Sequence, residues 1–201
     1  MGSTAITRSK TIYAEGTLPY MPGCFVAPFP YWHQLNLPPS TPTSELVAHS
    51  LYHLDVLLKQ QTAPRDTAAI ILEPVLGEGG YVPVPPAYLE GLRKVCDKHG
   101  ILLIVDEVQS GYGRTGKMFA VEHSGVRPDI MIIAKGLANG FPLSGVISRK
   151  ELTDKLTPGS LGGTYAGNAV ACAAAVACTQ AFKEENVLQN VNDRQVSLRT
   201  S

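Results

Sequence analysis

The chain has 201 residues, and its 17 Lys plus Arg are balanced by 17 Asp plus Glu, for a formal net charge of zero. That length can bury a core of its own, and the balance speaks against nucleic acid or an anionic membrane surface as a partner. Charged residues make up 17% of the chain, below the ~25% of an average domain, which predicts surface covered by a partner subunit.

Cys24, Cys96, Cys172 and Cys178 form no CxxC pair and read as reduced thiols. No apolar run approaches the ~18 residues of a membrane span. The opening MGSTAITRSK lacks the apolar stretch of a signal peptide, and Ile6 breaks the myristoylation pattern. An intracellular protein, cytoplasmic or mitochondrial, is expected.

Residues 1–40 are rich in Pro, Gly and aromatics. Cys24–Ala27 reads as a short strand stopped by Pro28 and Pro30. Tyr31-Trp32-His33 reads as packing beneath a long loop. Val47, Leu51, Leu54 and Leu58 recur at helical spacing after Thr41-Pro42, which predicts a helix from Thr43 to about Gln60. His49 and His53 stand four apart on it. Their stretch, HSLYH, lacks the glutamate of HExxH, so a solvated pair and no metal site are expected. Thr62–Asp66 is a turn. Ala68–Leu72, Ile101–Val105 and Ile130–Ala134 are short apolar runs bounded by turn residues, as buried parallel strands are. Pro85-Pro86 opens a helix with Tyr88, Leu92, Val95, Cys96 and His99 on its buried face, and Gly100 stops it. Strand, helix and strand in that order predict a right-handed crossover. Ser144–Ser148 reads as a further strand, Arg149–Leu156 as a helical turn or two, and Thr157–Thr164 as a Gly-rich loop. Asn168 caps a helix to about Glu185, whose alanines predict burial; Asn190–Ser201 is polar with no terminating pattern.

The three apolar runs end in Glu73, in Asp106 and Glu107, and in Lys135. Ligands of open α/β sheets sit outside the carboxyl ends of the strands, so one crevice is expected to receive carboxylates and an amine. The segment Glu73 to Gly80, EPVLGEGG, has the glycines and the acid of an active-site loop. A lysine at the end of an apolar strand needs its charge solvated or paired. Desolvation lowers its pKa and frees the amine to attack carbonyls, the aldehyde of pyridoxal phosphate among them. That cofactor needs a carboxylate against its pyridinium nitrogen, which Asp106 is placed to supply. Its phosphate suits Gly162-Gly163-Thr164. A structural bridge from Lys135 to Asp106 or Glu107 is equally compatible with the spacing. Gly111 to Lys117 also approaches the GxxxxGK[ST] phosphate loop, but Met118 stands where a hydroxyl is required and no strand of its own precedes the loop.

The run IVDEVQSGYGRTGKMFAVEHSGVRPDIMIIAKGLANGFPLSGV, with EPVLGEGG upstream and GGTYAGNAVACAAA downstream, closely resembles the signature of class III aminotransferases. These are fold type I pyridoxal-phosphate enzymes, such as 4-aminobutyrate, acetylornithine and alanine–glyoxylate aminotransferases. The resemblance implies an α/β large domain with a mostly parallel sheet and helices on both faces. It covers residues 1–192 as the central part of that domain, with 193–201 as a divergent tail. It implies amino transfer from an amine or amino acid to a 2-oxo acid by ping-pong half-reactions, in a homodimer. By resemblance, Lys135 is the Schiff-base lysine and proton carrier, and Asp106 pairs with the pyridine nitrogen. Val108 presses on one ring face, Gln109 approaches the 3-hydroxyl side, and Thr164 binds the phosphate, reaching a partner's site. Glu78 matches a glutamate that pairs with an arginine in several members, and Glu73 lies at the site floor. Arg114 is expected to order its loop, with a substrate role as the lesser alternative.

Family members are considerably longer. An upstream aromatic-His-Gly segment, an upstream phosphate turn and a C-terminal domain with a carboxylate-binding arginine have no counterpart here. The expectation is therefore an incomplete domain with little turnover on its own. A non-catalytic fragment and an amine-phosphate lyase on the same scaffold are the alternatives.

Overall fold

The computed structural model of the chain describes residues 2–7 and 10–200. Along these, the helices and strands run α1 (Gly2–Ile6), α2 (Thr43–Gln60), β1 (Ala69–Leu72), β2 (Val75–Leu76), β3 (Val82–Pro83), α3 (Pro86–His99), β4 (Leu102–Asp106), β5 (Ile130–Ile133), β6 (Gly145–Ser148), α4 (Lys150–Thr153), α5 (Ala169–Glu184) and α6 (Val187–Thr200). Short 3₁₀ turns punctuate the loops, among them Ala120–His123 and Lys135–Leu137.

Local signals set the helix ends. Glu45 sits in the first turn of α2 and Lys59 in its last, complementing the helix dipole. Pro86 occupies the first turn of α3, and Gly100 ends the helix at φ +71°, a left-handed turn costly for any side chain with a Cβ. Asn168 accepts the backbone N–H groups of Val170 and Ala171 and so starts α5.

One sheet has the order β1-β4-β5-β6. Parallel pairing runs from Ala69↔Leu102 to Leu72↔Val105 and from Ile104↔Ile130 to Asp106↔Ile132, while β6 closes the edge antiparallel. The sheet is thus mostly parallel, as expected, with one reversed edge strand. β2 and β3 form a separate hairpin around the Gly-rich turn after Glu73. Leu103 and Val105 of β4 enter a core with Tyr88, Leu89, Leu92 and Cys96 of α3 and Val47, Leu54 and Leu58 of α2. Burial pushes the Cys96 thiol up to about 11, leaving it an inert core residue.

A buried carboxylate ties this core to the sheet. Asp129, just before β5, accepts the Leu103 N–H at 2.7 Å, Arg93 of α3 at 2.9 Å and Arg149 after β6 at 2.9 Å. Burial alone would raise its pKa. The Leu103 N–H and the two guanidinium groups outweigh that and hold it below the ordinary carboxylate value.

Several expectations are corrected. Cys24–Ala27 makes no strand; the segment is irregular, because prolines on both sides leave it no ladder partner. His99 is exposed, since the core-facing row of α3 ends at Cys96. The strands are not buried on both faces: β4 alternates, with Leu102, Ile104 and Asp106 half-buried, because α2 and α3 cover only the other side. α5 is largely exposed, with only Ala171 buried and Val170 and Val176 about 60% open. Its alanines favour helix as much as burial. The polar end of the chain is helical through residue 200, and the expected boundary at residue 193 falls inside α6.

Candidate active site

Three strand ends meet along one edge. Glu73 follows β1, Asp106 ends β4, and Lys135 follows β5 by one residue, and these strands are immediate neighbours in the sheet. The alternation of β4 sorts the two acids. Leu103 and Val105 face the core, and Glu107 continues their row and is fully buried. Asp106 falls on the opposite, half-open side.

The buried Glu107 builds the loop that follows. Its carboxylate accepts Ser110 Oγ at 2.5 Å and the backbone N–H groups of Ala120 at 3.1 Å and Val121 at 2.8 Å. Its own N–H donates to Ile132 O at 2.9 Å, tying the loop to β5. Residues 107–121 are thereby closed on one carboxylate. Asp106 Oδ1 accepts the Val108 N–H at 3.0 Å.

Lys135 Nζ donates to Gln109 Oε1. No ion pair joins Lys135 to Asp106 or Glu107 among the described residues, so the structural bridge that the spacing allowed is not formed. Glu73 accepts the Gly77 N–H at 2.9 Å. A Cβ at Gly77 would lie 3.0 Å from Gln109 Cγ and 3.4 Å from Glu73 Oε2, which places Glu73, Gly77 and Gln109 in one cluster. Lys135 holds φ at +45°, a left-handed backbone that non-glycine residues adopt at a cost of ~1–3 kcal/mol and that concentrates at functional sites. The next residue, Gly136, leaves no room for a side chain: its Cβ would stand 2.7 Å from Tyr112 Cβ.

A cleft of about 510 Å³ opens beside the lysine, lined among others by Arg114, Lys135, Asn139 and Phe141. Thr164 is exposed in the loop before α5 and does not line this cleft. Glu78 sits at the tip of the β2–β3 hairpin, exposed, with Lys10 rather than an arginine as its partner at 3.2 Å. Gly111 to Lys117 leads into the 3₁₀ turn Ala120–His123 and not into an α-helix, so the N-terminal anion cradle of a phosphate loop is not built there.

This arrangement has known counterparts. The family model described as aminotransferase class-III matches residues 1–201. The chain belongs to the class III aminotransferases. It is 55% identical over 137 residues to the 4-aminobutyrate aminotransferase GabT of Escherichia coli K12, covering 68% of this chain and 32% of that protein. It is 53% identical over 142 residues to the 5-aminovalerate aminotransferase DavT of Pseudomonas putida, covering 71% and 33%. Among solved structures, a thermostable (S)-enantioselective omega-transaminase from Thermomicrobium roseum superposes with TM-score 0.82 at 35% identity, over 90% of this chain and 41% of that one. A taurine:2-oxoglutarate aminotransferase from Bifidobacterium kashiwanohense, in complex with PLP and glutamate, gives 0.78 at 37% identity, over 86% and 39%. The chain thus spans about a third of the curated relatives' length.

In this class III chain, sequence reasoning gave Glu107 no role of its own and missed the cleft position of Arg114 and the Asp129 centre. Glu107 was within reach, because period two from Leu103 and Val105 puts it on the core side. Asp129 was not, because Arg93 and Arg149 come to it from distant parts of the chain. No helix of the described residues is long and apolar enough to cross a membrane.

Proposed function

We propose that this chain carries the lysine and carboxylate half of a pyridoxal-phosphate transaminase site, moving an amino group from an amine or amino acid to a 2-oxo acid. The delivery of Lys135 and Asp106 to one sheet edge by directly paired strands, with Asp106 opposite Ile132 just before the lysine, carries this reading. The residues fit the group. A primary amine, an acid with one oxygen bonded only to its own loop, and a half-buried valine in that loop match an aldehyde, a basic ring nitrogen and a flat ring face. When bound, pyridoxal phosphate supplies an aldehyde for the amine and a protonated ring that draws electrons from the reacting carbon.

The chain's own residues then have distinct tasks. Lys135 presents Nζ as nucleophile and carries the transferred proton, held in place by Gln109 Oε1 and by the strained turn beneath it. Asp106 holds a proton on the ring nitrogen, Val108 supports one face, and Gln109 lies toward the ring hydroxyl. Glu73 braces Gly77 and the floor, Glu78 guards the substrate side from the hairpin tip, and Thr164 contributes to a phosphate site shared across a homodimer.

The test is to saturate the purified chain with pyridoxal phosphate, reduce with borohydride and map the labelled peptide. The expected label is on Lys135; labels elsewhere with Lys135 untouched refute the assignment. Asp106→Asn is expected to keep that label. In a full-length relative carrying this segment, the same change should slow amino transfer by about 10²-fold, roughly 2.7 kcal/mol. Near-normal turnover would remove Asp106 from the mechanism.

A further inference from the structure

We infer that Tyr112 is a positioning residue for Lys135, its side chain wedged between Phe182 of α5 and the turn that carries the lysine. The inference rests on the reading of Lys135 given above and adds the side chain that fixes its backbone.

The contact is with Gly136, the residue after Lys135. A Cβ there would stand 2.7 Å from Tyr112 Cβ, 3.2 Å from Cγ and 3.5 Å from Cδ2, so the base of the Tyr112 side chain and one edge of its ring lie against the glycine. The ring in turn meets Phe119, with centroids 5.7 Å apart and planes at 74°, and Phe182 of α5, at 6.3 Å and 70°. Both are edge-to-face contacts, which aromatic pairs prefer. α5 also packs directly against the turn Lys135–Leu137.

Tyr112 and Lys135 both hold left-handed backbone, at φ +55° and φ +45°. Glycine or asparagine fills such a position at lower cost, so packing must hold a tyrosine and a lysine there. Around Tyr112 the holding is local. Gly111 N–H donates to Glu107 O at 2.9 Å, and Gly113 N–H to Met118 O at 3.3 Å. A Cβ at Gly113 would meet Phe182 and Leu188 at 3.2 Å each, so α5 and α6 press on the same loop. Around Lys135 the turn closes through Leu137 N–H to Ala134 O at 3.0 Å and Ala138 N–H to Lys135 O at 3.3 Å. Tyr112 adds a steric stop: Gly136 cannot swing toward the 111–117 loop, so the lysine backbone cannot relax that way. The direction of a side chain follows from its backbone, so the stop reaches Nζ. Gln109, which accepts from Nζ, belongs to the same loop as Tyr112. One loop, closed on Glu107, thus holds the lysine at both ends, by its amine and by its backbone.

The experiment compares the purified wild-type chain with Tyr112→Phe and Tyr112→Ala, each checked for folding by circular dichroism. Amide hydrogen exchange on the chain without cofactor follows Leu137 and Ala138. Pyridoxal phosphate trapping with borohydride follows the label on Lys135. Tyr112→Ala should exchange faster at those two amides and lose about tenfold or more of the initial labelling rate at Lys135 relative to the other lysines. Tyr112→Phe keeps the ring and should match wild type in both. Unchanged exchange at Leu137 and Ala138 in Tyr112→Ala overturns the inference. So does faster exchange with the Lys135 label intact, which leaves the ring a packing role only. Loss of the label in Tyr112→Phe also overturns it, because the role then belongs to the hydroxyl. Should Tyr112→Ala fail to fold, Tyr112→Leu takes its place, since a branched aliphatic carbon fills the space but cannot lie flat on Gly136, and the same outcomes decide. A wild-type chain with no label on Lys135 refutes the transaminase reading and this inference with it. A wild-type label that is unchanged in Tyr112→Ala refutes the inference alone.

Discussion

Glu107→Ala is expected to destabilise the chain by roughly 4 kcal/mol, because it leaves a hydroxyl and two backbone N–H groups without an acceptor in the interior. The groups are Ser110 Oγ, Ala120 N and Val121 N, and all converge on a side chain with no solvent exposure. Total stabilities are about 5–15 kcal/mol, so the loss is a large fraction of the whole. Glu107→Gln is a sharper probe. Its volume is almost the same, yet one carboxylate oxygen becomes an NH₂ that faces donors. It should therefore recover only part of the loss. Urea unfolding measures both. Because residues 107–121 carry Gln109, the partner of Lys135, the alanine variant should also lose selective labelling of Lys135 by pyridoxal phosphate. A variant as stable as wild type would show that the loop is held by something other than this carboxylate.

Asp129→Ala should cost about 3–5 kcal/mol, the penalty for breaking a buried ion pair and stranding its partners. Arg93 is 19% exposed and would lose its bond to the residue just before β5 while keeping Asp97. Leu103 N would lose its acceptor in the middle of β4. The pH dependence follows from the depressed pKa of Asp129. A carboxyl held lower in the folded than in the unfolded state contributes fully above the unfolded value. That contribution disappears as pH falls through the folded value. The reference value is 3.8, so the wild-type chain should lose this part of its stability below about pH 4. Asp129→Asn should be less stable at neutral pH and show a shallower fall under acid. Urea midpoints at pH 7 and pH 3 measure the difference. Equal slopes for the two proteins would take Asp129 out of the acid response.

Much of the sheet edge was visible in the linear sequence. The apolar runs before Glu73, Asp106 and Lys135 are local patterns, and a strand's residues record their own burial. The start and stop of α2 and α3 were equally local, since Thr41-Pro42, Pro86 and Gly100 act through backbone geometry within a few residues. Motif order along Ile104–Val146 carried the family resemblance. The tertiary structure decided what the strand ends do to one another. It set the order β1-β4-β5-β6, and with it the placing of three chemical groups along one edge. It gave Lys135 to Gln109 rather than to an acid, and joined Asp129 to Arg93 and Arg149 from 36 and 20 residues away. It also turned Arg114 from a loop residue into a wall of the cleft and left α5 open where alanines had suggested burial. The physical reason is common to all of these. A residue's conformational preference is a property of its neighbours in the chain, whereas a polar group's partner is whatever the packed fold brings within about 3 Å.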